Sequence, residues 1–231
     1  MNYPFNWSNF TLIGKLLSLQ NCFLCGSDSK RLLCTACLSD LPYQTVTCFI
    51  CAKSLTKDGI CVKCQQKPPP YTEARAVFSY TYPINQLISV AKFKDNLPIL
   101  NLLGNLMAKH LRFDQRPDVL IPIPLHSKRL RQRGYNQSVE LAKCVSKYTG
   151  IPLNYTSCQR IKNTRPQVGL PAQQRTINIQ NAFQVKKVHN NWKHIVLIDD
   201  VMTTGSTVEA LTREFLKVGI QRVDVWCCIR R

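Results

Sequence analysis

The stretch "HIVLIDDVMTTGSTVEAL", His194 to Leu211, decides how the chain is read. Apolar residues run from Ile195 to Ile198 and stop at two adjacent acids, Asp199 and Asp200. Val201 and Met202 come next, then small residues around one glycine: Thr203, Thr204, Gly205, Ser206 and Thr207. An apolar run bounded by such a turn reads as a buried strand. "STVEALTREFLKVG" beyond it has helical spacing and a stop at Gly219. The turn thus joins a strand end to a helix N-terminus, where N–H groups and the helix dipole face outward and favour an anion. Carboxylates beside that anion site would repel a phosphate, but they suit sugar hydroxyls or a magnesium ion held by the same ligand. The pattern describes a phosphorylated ribose. It is not a P-loop, because the G-x-x-x-x-G-K-[ST] spacing is absent.

Around this stretch the chain alternates. "ARAVFSYTY" (74–82) reads as a strand, "INQLISVAKFK" and "ILNLLGNLMAKHL" as helices, and "DVLIPIP" (118–124) as a buried strand opening into a loop. "SVELAKCVSKYTG" reads as a helix closed by Gly150, "LNYTSCQRI" as a short strand and "VDVWCCI" as the last strand. That order predicts an α/β fold, a mainly parallel sheet flanked by helices, with ligands at the carboxyl ends of the strands. Residues 163–183 show little periodicity, as functional or disordered loops do.

Twelve cysteines include four C-x-x-C pairs: Cys22/Cys25, Cys34/Cys37, Cys48/Cys51 and Cys61/Cys64. Each pair points two thiolates at one ion, and two pairs close a tetrahedral zinc site with no open position. Two structural zinc ions are expected, with consecutive or interleaved pairing equally compatible with the spacing. Cys144, Cys158, Cys227 and Cys228 lie among apolar residues and read as core. The zinc module is expected to span 1–67, a Pro-rich linker (Pro68, Pro69, Pro70) 68–73, and the α/β domain 74–231.

Thirty-one Lys and Arg against thirteen Asp and Glu leave a net charge of +18. From His126 to Lys187 twelve cations face one acid, Glu140. Such clustering suits polyanionic partners, phosphates or nucleic acid. Lys128, Arg129, Arg131 and Arg133 before Gly134 suit a multiply charged phosphate group, or else form a solvated basic face. No apolar run is long enough to span a membrane, and Gly14 and Lys15 break the N-terminal one, so a cytoplasmic location is expected.

"VLIDDVMTTGST" resembles the phosphoribosyl pyrophosphate (PRPP) loop of type I phosphoribosyltransferases. The resemblance implies Asp199 and Asp200 as the catalytic pair, binding ribose hydroxyls, and residues 201–207 as the PRPP- and phosphate-binding turn, with Mg2+ accompanying PRPP. With "PIPLHSKRLRQRGYNQS", the C-x-x-C pairs, "KPPP", T-x-x-Q-x-x-L and R-x-x-N, the chain from about Cys22 onward resembles the ComF/GntX family. That resemblance implies a type I phosphoribosyltransferase-like domain behind a double zinc ribbon, and a role in handling incoming single-stranded DNA in natural transformation. It also assigns Arg129, Arg133, Gly134, Tyr135, Asn136 and Gln137 to a pyrophosphate or nucleic-acid loop, where Tyr135 stacks on a base or packs in the core. Thr164, Arg165, Gln167, Arg175 and Asn178 fall where the mobile catalytic loop would be. Lys92 and Lys94 form a further shared motif, reaching phosphates or solvating a helix face. Expected partners are single-stranded DNA, PRPP or a related ribose phosphate, and other uptake proteins such as a helicase. The alternative is an active phosphoribosyltransferase on a small-molecule or nucleobase acceptor, though nothing in the sequence spells out such an acceptor.

Overall fold

The computed structural model describes residues 20–93, 96–163, 179, 181–186, 188–189 and 191–231. Thr164, Arg165, Gln167, Arg175, Asn178 and Lys94 lie outside them. The described residues fall into two compact units that divide between Leu41 and Pro42. The first holds strands β1 (Gln20–Asn21) and β2 (Asp28–Ser29), paired antiparallel, and helix α1 (Thr35–Ser39).

The second unit begins with helix α2 (Val62–Gln66), strand β3 (Ala74–Ser79), and helices α3 (Ile84–Phe93) and α4 (Leu97–His110). Strand β4 (Val119–Pro122), helices α5 (Ser127–Arg133) and α6 (Gln137–Thr149), and strands β5 (Cys158–Arg160) and β6 (Phe183–Val185) come after them. Strand β7 (His194–Met202), helix α7 (Ser206–Lys217) and strand β8 (Arg222–Arg230) complete it. The sheet runs β3-β8-β7-β4, every pair parallel. All four residues of β4, and residues 195–198 of β7, are buried. A strand covered on both faces is continuously apolar rather than alternating, which is why both runs read so clearly in the sequence.

Two expectations change. The basic segment after β4 is helical as α5, stopped by Gly134 in the left-handed region at φ 73°. The short strand of "LNYTSCQRI" is β5, which pairs antiparallel with β6 outside the parallel sheet. The compact units divide between Leu41 and Pro42, so the second cysteine group shares a unit with the sheet. The reason lies in packing and hydrogen bonds. Ala52 and Tyr71 belong to the same buried cluster as Val208, Leu211 and Phe215. Ala74 N–H donates to Ile50 O (2.7 Å) and Gln44 N–H to Val77 O (2.8 Å), strapping the segment along β3.

On one side of the sheet α4 lies so close to α6 that a Cβ at Gly104 would sit 2.8 Å from Cys144 Cβ and 3.4 Å from Leu141 Cα. Neither atom can swing away as the end of a long side chain would. Gly104→Ala should therefore lower stability by about 1–3 kcal/mol despite alanine's better helix propensity. Thermal unfolding checks this, and an unchanged midpoint would refute it.

Candidate functional site

Parallel pairing places the carboxyl ends of β4 and β7 side by side, Pro122 opposite Ile198. The segments leaving the two strands therefore meet at one edge: the α5–α6 turn from β4, and Asp199 to Thr207 from β7. The junction is tied by side chains. Asn136 Nδ2 donates to Ile123 O (2.9 Å), while its Oδ1 caps α6 by accepting from Ser138 N–H (3.0 Å). Ser138 Oγ lies 3.4 Å from Asp199 Oδ1, which also accepts from Asp200 N–H at 2.9 Å.

The two aspartates are not equivalent. Lys92 Nζ, reaching in from α3, stands 2.6 Å from Asp200 Oδ2. Burial first, and then the neighbouring Asp200 charge, push the Asp199 carboxyl up to about 7, with Lys92 opposing. Lys92 is thus an ion-pair partner of the site rather than a lysine on a solvated helix face.

The turn after β7 is built for close approach. Gly205 takes φ 86° as the N-cap of α7, a conformation that L side chains rarely adopt. Thr204 Oγ1 and Ser206 Oγ are 2.8 Å apart, and Ser206 N–H donates to Thr204 Oγ1 at 3.4 Å. Asp199, Val201, Met202, Thr203, Gly205, Ser206, Thr207 and Val208 line a concave pocket here. It joins Asp199 to the N-terminus of α7.

Helix α5 separates its cations. Lys128 and Arg131 are exposed, whereas Arg129 and Arg133, one turn apart, are half-buried. Arg129 is lowered from its ordinary range by burial and then by Arg133, with Asp200 opposing. Gln137 Oε1 accepts from Arg133 Nη1 (3.2 Å), and the buried Gln137 Nε2 has no hydrogen-bond partner among the described residues, a donor left for an acceptor. The Tyr135 hydroxyl donates to Ala91 O, anchoring the turn to α3. Arg160, which no sequence motif singles out, lies on β5 with its backbone bridged to His126 and its guanidinium 5.5 Å from the Phe183 ring centre. Burial, followed by Arg129, brings it down to about 10, against the pull of Asp199. Its place is not readable from the sequence, because β5 reaches the site only through a non-local bridge.

Arg230 is a second residue beside the site that lies outside the motifs, although a cation closing the apolar "VWCCI" run is a signal. Nearly buried, it donates from Nε to Cys51 O (2.9 Å) and from Nη1 to Met202 O (3.0 Å), Thr203 O and Arg231 O. Lys63 Nζ adds a contact to Thr204 O at 3.4 Å. The second cysteine group thereby braces the turn that lines the pocket.

The eight cysteines pair consecutively: Cys22, Cys25, Cys34 and Cys37 in one group, and Cys48, Cys51, Cys61 and Cys64 in the other. Within each, all ligand atoms lie within 4.8 Å of one another, and Cys25–Cys34 and Cys51–Cys61 are both 3.7 Å apart. Four thiolates about 2.3 Å from a tetrahedral zinc stand roughly 3.8 Å apart, so the donor set fits. The groups repeat even in detail: Cys34 N–H donates to Cys22 Sγ and Cys61 N–H to Cys48 Sγ, both at 3.3 Å. Closed sites of four sulfurs are structural. Cys158, Cys227 and Cys228 are buried in the core, and Cys144 packs against Gly104.

Residues 15–65 match the double zinc ribbon domain family. The chain is 31% identical over 205 residues to the DNA utilization protein YhgH of Salmonella typhimurium, covering 86% of this chain and 90% of that protein. It is 30% identical to competence protein F of Haemophilus influenzae, with the same coverage of 86% and 90%. A solved glutamine PRPP amidotransferase from B. subtilis aligns over 55% of this chain and 25% of that one, at 19% identity and a TM-score of 0.39.

The Arg230 brace and the raised Asp199 carboxyl are each open to measurement. Arg230→Met should leave two zinc ions per chain by metal analysis yet loosen residues 202–204, read as faster amide hydrogen exchange in that turn. Unchanged exchange would refute the bracing role. For Asp199, a folded-state value raised above the ordinary 3.8 means stability that is present below about pH 4 and lost as pH rises through about 7. Asp199→Asn keeps the oxygen that Ser138 and Asp200 N–H use. It should melt about 4–8 °C higher than the unaltered chain at pH 8, as ~2 kcal/mol gives in a chain of this size, with the gap closing toward pH 4. A pH-independent difference would count against the raised carboxyl.

With two cysteine groups of zinc-ribbon spacing, an acid pair leading into a T-T-G-S-T turn, and relatives above 30% identity over nearly their whole length, the chain belongs to the ComF/GntX family.

Proposed function

We propose that this chain handles single-stranded DNA in competence or DNA utilization, using a pocket that binds PRPP or a related ribose phosphate with magnesium. The carrying observation is the convergence, at the carboxyl ends of β4 and β7, of Asp199 and Asp200, the 203–207 turn, and half-buried Arg129 and Arg133. A sugar with two phosphate arms meets those groups in order. The helix N-terminus and hydroxyls take one phosphate, the carboxylates the hydroxyls between, and the arginines the second phosphate. The carboxylate and hydroxyl oxygens are hard donors, a set that suits magnesium, and the metal would add charge stabilisation on the phosphates. Ser138 orients Asp199, and Lys92 holds Asp200, so the pair is positioned before ligand arrives. The relatives' names, DNA utilization protein and competence protein F, support the DNA side, as does the +18 charge.

A second reading, transfer of the phosphoribosyl group to a small nitrogen acceptor, is favoured by one observation: half-buried Arg129 feels the charges of both Arg133 and Asp200, which puts paired cations near the acids, where departing pyrophosphate would need them. Pyrophosphate release on adding an acceptor tests it.

The test of the main reading is fluorescence anisotropy of a labelled single-stranded oligonucleotide across salt, with and without excess magnesium–PRPP. Tight binding at low salt that PRPP displaces or retunes is expected. No salt-sensitive binding removes the DNA function, and binding indifferent to PRPP separates it from the pocket. Asp200→Asn should lower PRPP affinity at least tenfold by calorimetry.

A further inference from the structure

We infer that the exposed face of the second cysteine group, centred on Phe49 with Ile60 and Val62, is a stacking platform for the unpaired bases of single-stranded DNA. The inference rests on the DNA-handling reading above and says where the strand lies.

Phe49 is 60% exposed, Ile60 42% and Val62 66%. The metal module does not need them for packing. Its buried cluster consists of Cys48, Cys51, Cys61 and Cys64, backed by Ile50 and Leu55. Nor are they scattered. Phe49 N–H donates to Gly59 O at 3.0 Å, and Cys48 is bridged to Gly59, so Phe49 and Ile60 lie on adjacent backbone segments. Cys61 N–H bonds Cys48 Sγ, which carries Val62 alongside at the start of α2. An aromatic ring and two aliphatic side chains held in water by a rigid metal knuckle form an apolar surface left uncovered by the described residues.

The surrounding charge selects the occupant. Between Leu41 and Thr72 the cations are Lys53, Lys57, Lys63 and Lys67, all exposed, and the only acid is Asp58. An exposed apolar face on a segment that carries four exposed lysines and one acid fits a polyanion that also offers flat apolar faces, and single-stranded nucleic acid is that polymer: its phosphates meet the lysines and its bases the ring. A duplex hides its base faces and would gain only the lysine contacts. The platform also adjoins the pocket, since Lys63, next to Val62 on α2, reaches Thr204 O of the phosphate turn at 3.4 Å.

Anisotropy with the full chain tests this, using an ordinary single-stranded oligonucleotide and an abasic one of equal length. Phe49→Ala should weaken binding of the ordinary strand about tenfold, as lost stacking does, and leave the abasic strand within about twofold. Lys67→Gln should weaken both strands alike and reduce the logarithmic salt slope by about 0.7. Two zinc ions per chain and an unshifted melting midpoint confirm that Phe49→Ala is folded. Phe49→Trp supplies the independent readout, and its added fluorescence should be quenched by the ordinary strand and not by the abasic one. Equal loss on both strands, or no loss, overturns the platform while the DNA reading stands. A wild-type dimer that Phe49→Ala dissociates overturns it too, because the face then belongs to a second copy. If the wild-type chain binds neither strand at low salt, the DNA reading itself falls.

Discussion

The parallel pairing of β4 with β7 is the constraint on which the site depends. Asp118 Oδ2 accepts from the N–H groups of both Lys193 and His194, at 2.8 and 2.9 Å, and pins the amino ends of the two strands. From there the register runs Val119 to Ile195 through Pro122 to Ile198. Both strands are apolar on both faces over this stretch, so the apolar runs leave the register open and the Asp118 clasp is what fixes the alignment. Because both strands point the same way, the acids that end one and the basic helix that succeeds the other emerge at one edge.

That edge holds an unbalanced set of charges at partial burial. Two carboxylates face Lys92, Arg129, Arg133 and Arg160; Arg133 helps to lower Arg129 and Arg129 to lower Arg160, while Asp200 helps to raise Asp199. Removing such groups from water is unfavourable unless they are paired, and here the cations outnumber the acids. A ligand carrying several negative charges relieves the excess cation charge and leaves the carboxylates for its neutral hydroxyls. Burial together with the adjacent Asp200 charge also explains why Asp199 holds its proton more tightly than an exposed aspartate.

The repeated cysteine modules share coordination geometry but not context. The first lies in its own compact unit, while the second is built into the core of the α/β unit through Ala52 and Tyr71 and into the 202–204 turn through Arg230 and Lys63. Arg230 is a buried guanidinium satisfied by backbone carbonyls, which suits its planar fork of five donors. It links a metal knuckle, a loop and the last strand in one network.

What was legible in the sequence was local. The C-x-x-C spacing determined two four-sulfur groups, because a tight turn is enough to aim two thiolates at one ion. The doubly buried strands read as unbroken apolar runs, and the acid pair with T-T-G-S-T marked a strand-to-helix turn. Helix α5 was hidden by its lack of an apolar stripe, since both its faces are basic, one toward solvent and one toward the acids. Which cysteine pairs share an ion, that Lys92 reaches Asp200, that Arg160 joins the basic cluster, and that the second metal group stands with the sheet were decided by tertiary structure alone. Each depends on contacts between residues far apart in the chain, and spacing along a sequence carries no record of those.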